Sequence, residues 1–326
     1  MLLGPPMRIV VTGSLAYDYL MTFPGRFREH FLPDRLSRLT VSFLVDDMRR
    51  LRGGVAGNIA WNLALLGARP VLVATAGNDF AEYRATLDAN GVDTSRVTII
   101  PEEFTASCFI NTDLDANQIV AFYAGALSHG HRIELGGLNL GPGDLVVISP
   151  TDPASMARAV EACRAARVPY LFDPGKQTPR LEAGQILEGM ASAAVVVGHD
   201  YEFGLMAQKT ERSEAELQSI APVTVVTKGD QGSVVLERGK PPVEIPVAPV
   251  RTLVDPTGAG DAYLGGLVFG MARKLPWALA GRVAAVAAAY AIEVRGCQEH
   301  RYTHPQFLER YRSAFGDAPP VTAALG

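Results

Sequence analysis

One unit recurs through most of this chain. A short apolar run ends at a glycine, proline or aspartate, and a stretch with helical spacing follows. The runs are "MRIVVTGS", "PVLVATAG", "DLVVISP", "VPYLFDPG", "AAVVVGHD" and "VTVVTKG". They are too short for core helices and too continuously apolar for strands with one wet face. Between them, "GNIAWNLALLGA" carries Ile59, Leu63 and Leu66 at helical spacing and closes on Gly67. "DFAEYRATLDANGV" reads as an amphipathic helix ending at Asn90-Gly91, and "DPASMARAVEACRAAR" as another helix. Strand and helix alternating on this spacing predict an α/β fold: a mostly parallel central sheet between two helical layers.

Two segments break the rhythm. "SLAYDYLMTFP" and "LSRLTVSFLVDD" flank a turn at Pro24-Gly25, and "TASCFINTDLDANQIVAFYAG" turns at residues 113–117. Both alternate apolar and polar residues and are expected to be antiparallel ribbons. Together they predict a small β-sheet lid spanning 16–47 and 103–126. The large α/β domain then takes 1–15, 48–102 and 127–326. The final "TAALG" reads as a mobile tail.

With 326 residues, 48% hydrophobic and 20% charged, the chain can bury a large core. A formal net charge of -4 leaves no strongly basic face, so no nucleic-acid partner is expected. Arg49, Arg50 and Arg52 read as a solvated face. Cys108, Cys163 and Cys297 stand far apart with no CxxC spacing, which argues against a disulfide framework or zinc site and fits a reducing cytoplasm. The amino-terminal run lacks a signal-peptide pattern, and the apolar stretch at 283–292 is about half a membrane span. No membrane partner is expected.

"VDPTGAGDAYLGG", residues 254–266, places Asp261 straight after a glycine-rich turn at the mouth of an apolar helix. Free backbone N–H groups and the positive end of the helix dipole favour a phosphate there. Asp261 has two readings from these residues alone: a helix-capping carboxylate, worth about 1 kcal/mol, or a general base that takes a proton from an attacking hydroxyl. A second glycine-rich turn, "RGGVAGNIAWN", carries Gly53, Gly54 and Gly57 for ligand approach and Asn58 near a helix start. Asp18 follows the first strand at the root of the lid, placed to bind sugar hydroxyls or to sit as a loop carboxylate. P-loop, dinucleotide-binding GxGxxG, GxSxG and HExxH patterns are lacking. His300 and His304 are four apart in "HRYTH", but with Pro305 following they read as a surface loop rather than a metal site.

"GGVAGNIAWNLALLG" and "DPTGAGDAYLGG", in this order, resemble the two signatures of the ribokinase (PfkB) family of carbohydrate and nucleoside kinases. The resemblance covers nearly the whole chain and implies a ribokinase-like three-layer α/β/α domain with a small β lid. Within the family, "VTGSLAYDYLMTFPGRF", "SFLVDDMRRLRGGVAGNIA" and "TDLDANQIVAFYAGAL" are most similar to bacterial ribokinase-like adenosine kinases. That likeness implies ATP- and Mg2+-dependent phosphorylation of the ribose 5′-hydroxyl of adenosine in purine salvage, and it admits a monovalent cation such as K+. Another nucleoside (inosine, guanosine, cytidine), a free sugar, or a nucleoside-binding protein without chemistry are the alternatives.

Residue by residue, the resemblance implies Asp261 as base, with Gly258, Ala259 and Gly260 as the anion hole. Ser14, Asp18, Gly54 and Asn58 would line the nucleoside site, Phe122 and Leu127 would contact the base, and Arg180 would lie near nucleoside and phosphate. Ser42 would sit on a lid ribbon that reaches a partner subunit, giving a homodimer through the lid. Thr227, Lys228, Gly229, Asp230, Gln231 and Gly232 would underlie the ATP ribose and adenine. His199 and Glu202 correspond to the family's Asn-x-x-Glu, with Glu202 organising magnesium through water. Three departures stand out. His199 replaces the amide, Cys108 stands where close relatives carry a stacking aromatic, and Lys176 replaces an uncharged glutamine.

Overall fold

The computed structural model describes residues 7–31, 40–133 and 135–326. Its larger sheet has eight strands. In chain order they are β1 (Arg8–Thr12), β4 (Val71–Val73), β9 (Asp144–Ile148), β10 (Tyr170–Phe172), β11 (Val195–His199), β12 (Val223–Thr227), β13 (Ser233–Glu237) and β14 (Val243–Ile245). Across the sheet the order is β14-β13-β12-β11-β10-β9-β1-β4. The six strands from β12 to β4 run parallel, and β13 and β14 add an antiparallel edge.

Successive residues of these strands serve two different cores. Ile9, Val11, Leu145, Val147, Leu171, Val195, Val197 and Val225 face one helical layer. Val10, Val146, Ile148, Tyr170, Phe172, Val196 and Val226 face the other. The period of two explains why the runs are apolar throughout: both faces are covered. The first layer holds α1 (Val55–Leu65), α2 (Ala81–Ala89), α7 (Ala259–Ala272), α8 (Trp277–Ala291), α9 (His304–Phe315) and α10 (Pro319–Leu325). The second holds α3 (Pro153–Ala166), α4 (Ala183–Ala191), α5 (Asp200–Thr210) and α6 (Glu214–Gln218). A further pair, β5 (Thr75–Gly77) with β6 (Thr98–Ile100), flanks α2 in the chain. β4 lies on one side of β1, and β9 to β12 step away on the other. This reversal is the kind of switch point where open α/β sheets bind ligands.

The small sheet has the order β3-β2-β7-β8, with β2 (Ala16–Thr22), β3 (Asp47–Gly53), β7 (Ala106–Thr112) and β8 (Gln118–Tyr123). β2–β3 and β7–β8 pair antiparallel, and the central strands β2 and β7 run parallel. The β7–β8 ribbon and its turn follow the sequence expectation. Buried Asp113 holds that turn, accepting from the backbone N–H groups of Phe27, Asp115 and Asn117.

Two expectations are corrected here. The partner of β2 is "DMRRLRG", which shares only Asp47 with the expected "LSRLTVSFLVDD". Residues 36–39 of that segment lie outside the described residues, and 40–45 form no strand. The small sheet therefore continues to Gly53, beyond the expected boundary at 47. The arginine-rich segment suits an edge strand, where charge discourages further pairing. Arg50 lies over the Tyr17 ring at 4.6 Å, and Arg52 pairs with Glu299 at 2.7 Å. The expected tail is also ordered: residues 322–325 of "TAALG" fall in α10, which buries Val321, Ala324 and Leu325. No helix among the described residues is long and apolar enough to cross a membrane.

Candidate active site

The mouth of α7 forms the floor of the site. Gly258 caps the helix in the left-handed region (φ 80), and a Cβ there would lie 2.8 Å from Cys297 Sγ. Upstream, Asp255 closes the turn by accepting from the N–H groups of Thr257 (3.0 Å) and Gly296 (3.1 Å). The first helical bond runs from Ala262 N to Gly258 O at 2.9 Å, and Ala259 N reaches Pro256 O at 3.2 Å. The N–H groups of Gly260 and Asp261 find no protein acceptor among the described residues. The direction a Gly260 side chain would take is open. An oxyanion fits that cradle.

Asp261 stands in the same first turn. Asn58, one turn into α1, donates from Nδ2 to Asp261 Oδ2 at 2.7 Å. Helices α1 and α7 come close enough because Gly265 faces Asn62 Cβ and the Ile59 carbonyl. Burial pushes the Asp261 carboxyl up to about 6; the Asn58 bond and Lys176 pull it down, while Asp18 and Glu202 push it up. A carboxylate so poised beside unpaired amides suits proton abstraction near neutral pH better than capping.

The small sheet supplies the opposite wall. Asp18 lies opposite Cys108 in the register, and Cys108 opposite Phe122, so the three side chains share one face. Two residues along the same face, Ala16 and Ala106 pack on Leu127. That face looks toward the large sheet. Burial raises the Asp18 carboxyl, against the pull of Lys176 and with a further push from Asp255. Phe109 lies on the reverse face, stacked on Tyr19 at 4.8 Å.

Further along the carboxyl edge stand residues that follow β10, β11 and β12. Asp173, directly after β10, is held well above the usual carboxylate range by burial, with Glu202 and Asp261 adding repulsion. Glu202 accepts from the His199 N–H at 2.8 Å at the start of α5. His199 lies opposite Thr227 in the register. Thr227 to Gly232 turn the chain between β12 and β13, closed by Lys228 N to Gly232 O at 2.8 Å.

The comparisons bear directly on this edge. A family model, the pfkB family carbohydrate kinase, matches residues 11–303, a span that holds both glycine-rich turns. The chain belongs to the PfkB family of carbohydrate kinases. As a PfkB kinase it is a phosphotransferase acting on a hydroxyl group. It is similar to the nucleoside kinase of Burkholderia thailandensis, solved with inosine: 36% identity, TM-score 0.82, covering 95% of this chain and 99% of that one. A Methanocaldococcus jannaschii nucleoside kinase, an archaeal member of the ribokinase family, has 26% identity and TM-score 0.82, covering 95% of this chain and 100% of that one. The nucleoside kinase of Methanothermobacter thermautotrophicus is 28% identical over 316 residues, 96% of this chain and 98% of that protein. The ribokinase-like fold expected from the sequence is thereby shown.

In this PfkB chain, Asp261, Asn58, Asp18 and the α7 amides come together around one cleft. Other residues stand elsewhere or do other work. Ser14 spends its hydroxyl on the start of α1, accepting from Val55 N at 3.1 Å, while its carbonyl takes Ala56 N at 3.1 Å. The glycines of the first motif make room for the chain itself. A Cβ at Gly54 (φ 86) would lie 2.6 Å from Ser14 O and Ala16 N, and one at Gly53 would meet Asp18 Oδ2 at 2.6 Å. Ser42 is exposed and outside any strand, so the expected ribbon toward a partner is absent at that position. Arg180 is exposed, with no side-chain partner among the described residues, and Lys176 is the cation within reach of Asp18 and Asp261. His300 is buried against Asn62 Oδ1 at 2.9 Å, which corrects its reading as a surface loop. Asp173, Gln298 and Tyr83 were not anticipated. Asp173 follows an apolar run as "FDPG" and could have been singled out on that ground. Gln298 and Tyr83 carry no such local signal.

Proposed function

We propose that this kinase transfers the γ-phosphoryl of ATP to the 5′-hydroxyl of a nucleoside. The pairing of Asp261 with the open amides of Gly260 and Asp261 carries this reading. The nucleoside lies between the Asp18–Cys108–Phe122 face and the carboxyl edge, with the ribose diol on Asp18 and the base against Phe122. ATP lies over the mouth of α7 and the loop from Thr227 to Gly232. Asp261 takes the 5′-hydroxyl proton while the α7 amides hold the charge that builds on the transferring group. Asn58 keeps the base oriented, and closure of the small sheet excludes water.

Carboxylates crowd this cleft: Asp18, Asp173, Glu202, Asp255 and Asp261 act on one another, and Lys176 is the cation among them. A polyphosphate enters such a place only with its charge neutralised. Oxygen donors suit Mg2+, and the described residues hold no cluster of three ligands, which fits an ion bound mainly through phosphate and water. Glu202 and Asp173 would face that ion, and it would neutralise phosphate charge during transfer.

Adenosine is the acceptor that the sequence likeness favours. Inosine is the second reading, because the Burkholderia relative is solved with it. Cys108 in place of an aromatic leaves a one-sided platform for the base, which suits tolerance between purines. A coupled ATP assay across adenosine, inosine, guanosine, cytidine, ribose and fructose tests this. Turnover of purine nucleosides with neither free sugar used is the expected result, and preference for a free sugar would overturn it. We further propose a homodimer through the small sheet, whose edge strand β8 exposes Ile119, Val120 and Tyr123.

A further inference from the structure

A chain of hydrogen bonds runs from Asp261 away from the cleft and ends on the backbone where the small sheet joins α1. Asn58 Nδ2 donates to Asp261 Oδ2 at 2.7 Å. Gln298 Nε2 donates to Asn58 Oδ1 at 2.8 Å and also to the Tyr83 hydroxyl. The Tyr83 hydroxyl donates to the Gly53 carbonyl at 2.8 Å. Gln298 and Tyr83 are fully buried, and Asn58 is buried.

The direction of every bond follows from its far end. The Gly53 carbonyl can only accept, so the one proton of Tyr83 goes to it. Tyr83 then has only lone pairs left for Gln298, which must present N–H. The second N–H of that amide meets Asn58, which must present its carbonyl. Asn58 is thereby left with its own N–H toward Asp261. Gln298 Oε1 has no partner among the described residues, so the side chain acts as a double donor. Position is secured as well as direction. Arg301 Nη1 holds the carbonyls of Gln298 and His300 at 2.8 Å each and stacks on Trp61 at 4.0 Å. Asn62 Nδ2 donates to the backbone carbonyl of Asn58 at 2.9 Å, within α1.

We infer that Gln298 and Tyr83 are positioning residues for phosphoryl transfer: they lock the Asn58 amide so that an N–H, never a carbonyl, faces the catalytic carboxylate. This rests on the reading of Asp261 as general base. A flipped Asn58 would set oxygen against oxygen and keep Asp261 protonated to higher pH. The other groups that act on Asp261 are Lys176, Asp18, Glu202, Asp173 and Cys297. None of them belongs to this hydrogen-bonded chain, so its loss leaves them in place.

The test is the pH dependence of kcat/KM, with adenosine and inosine as acceptors, for wild type, Gln298→Met, Tyr83→Phe and Asp261→Asn, with thermal unfolding of each. Gln298→Met is expected to move the acidic limb up by about one pH unit, the scale of one hydrogen bond to a charged group. Tyr83→Phe, which loses only a hydroxyl, is expected to move it the same way by less, and carries the test should Gln298→Met fail to fold. In an Asn58→Ala background, adding Gln298→Met should move the limb no further. A rate lowered equally at all pH values, with the limb unmoved, would overturn the inference and leave Gln298 a packing residue. Asp261→Asn separates the two claims. If it is folded and active, the base reading falls and this inference with it. If it is inactive while the limb stays put in Gln298→Met and Tyr83→Phe, only the positioning role falls.

Discussion

Asp261 carries two opposed demands. Its carboxyl is raised from 3.8 to about 6, so ionisation at neutral pH works against the folded state. The sign follows from linkage: the folded chain holds this proton more tightly than the unfolded chain. The cost is therefore absent below about pH 4, grows between 4 and 6, and is complete above 6, at about 3 kcal/mol. Asp261→Asn should lose at least about 10²-fold in turnover and yet melt higher than wild type at pH 7.5. The stability gain should vanish near pH 4. A melting temperature unchanged or lowered at pH 7.5 would count against the stored cost. In wild type, kcat/KM should fall as pH drops through about 6, because the base must be ionised. At Asp18, loss of a charged acceptor for two sugar hydroxyls should weaken nucleoside binding by about 10- to 100-fold in Asp18→Asn, read by calorimetry, with a smaller effect on kcat. A wild-type affinity would remove Asp18 from the sugar site.

Helix α7 does at the element scale what its sequence only hints at. Its glycines face in different directions for different reasons. Gly265 admits α1, Gly266 lies against Ala284, and Gly270 against Ala280 of α8. Gly260 faces open space at the cleft. The same residue type should therefore behave in two ways. In Gly266→Val the new Cβ would sit 2.6 Å from Ala284 Cα, backbone that cannot swing aside, and stability should fall by about 2 kcal/mol or more. Gly260→Ala should keep wild-type stability, since nothing lies within 4 Å of the added methyl, while the KM for ATP rises. Denaturant midpoints paired with steady-state kinetics separate the two. A Gly260→Ala enzyme with unchanged ATP kinetics would argue that no phosphate passes there.

For the whole molecule, the proposed site depends on two sheets meeting. One supplies Asp18, Cys108 and Phe122, the other the carboxyl edge with Asp173, Glu202 and Thr227, and the proposed nucleoside needs both. The exposed β8 edge needs cover, and a second copy of the small sheet would provide it. Light scattering behind size exclusion should show a dimer at micromolar concentration, and Val120→Lys should shift it toward monomer. A wild-type monomer at that concentration would end the dimer reading.

Apolar runs and paired glycine turns were enough to read the α/β fold and its family, because period, turn chemistry and helix starts are local properties of a chain. The same locality made Asp261 and Asn58 visible, each sitting in a glycine-rich turn at a helix mouth. What the sequence could not decide was anything set by distance through space. The true partner of β2 is polar "DMRRLRG", since an edge strand is stabilised by pairing and by contacts such as Arg52 with Glu299 rather than by its own apolarity. His300 is buried, and its hydrogen-bond partner there, Asn62, stands 238 residues away in the chain. Gln298 lies 240 residues from Asn58 in the chain. Only the close packing of α1, α2, α7 and the segment after α8 brings Asn58, Gln298, Tyr83 and Asp261 into one line of hydrogen bonds.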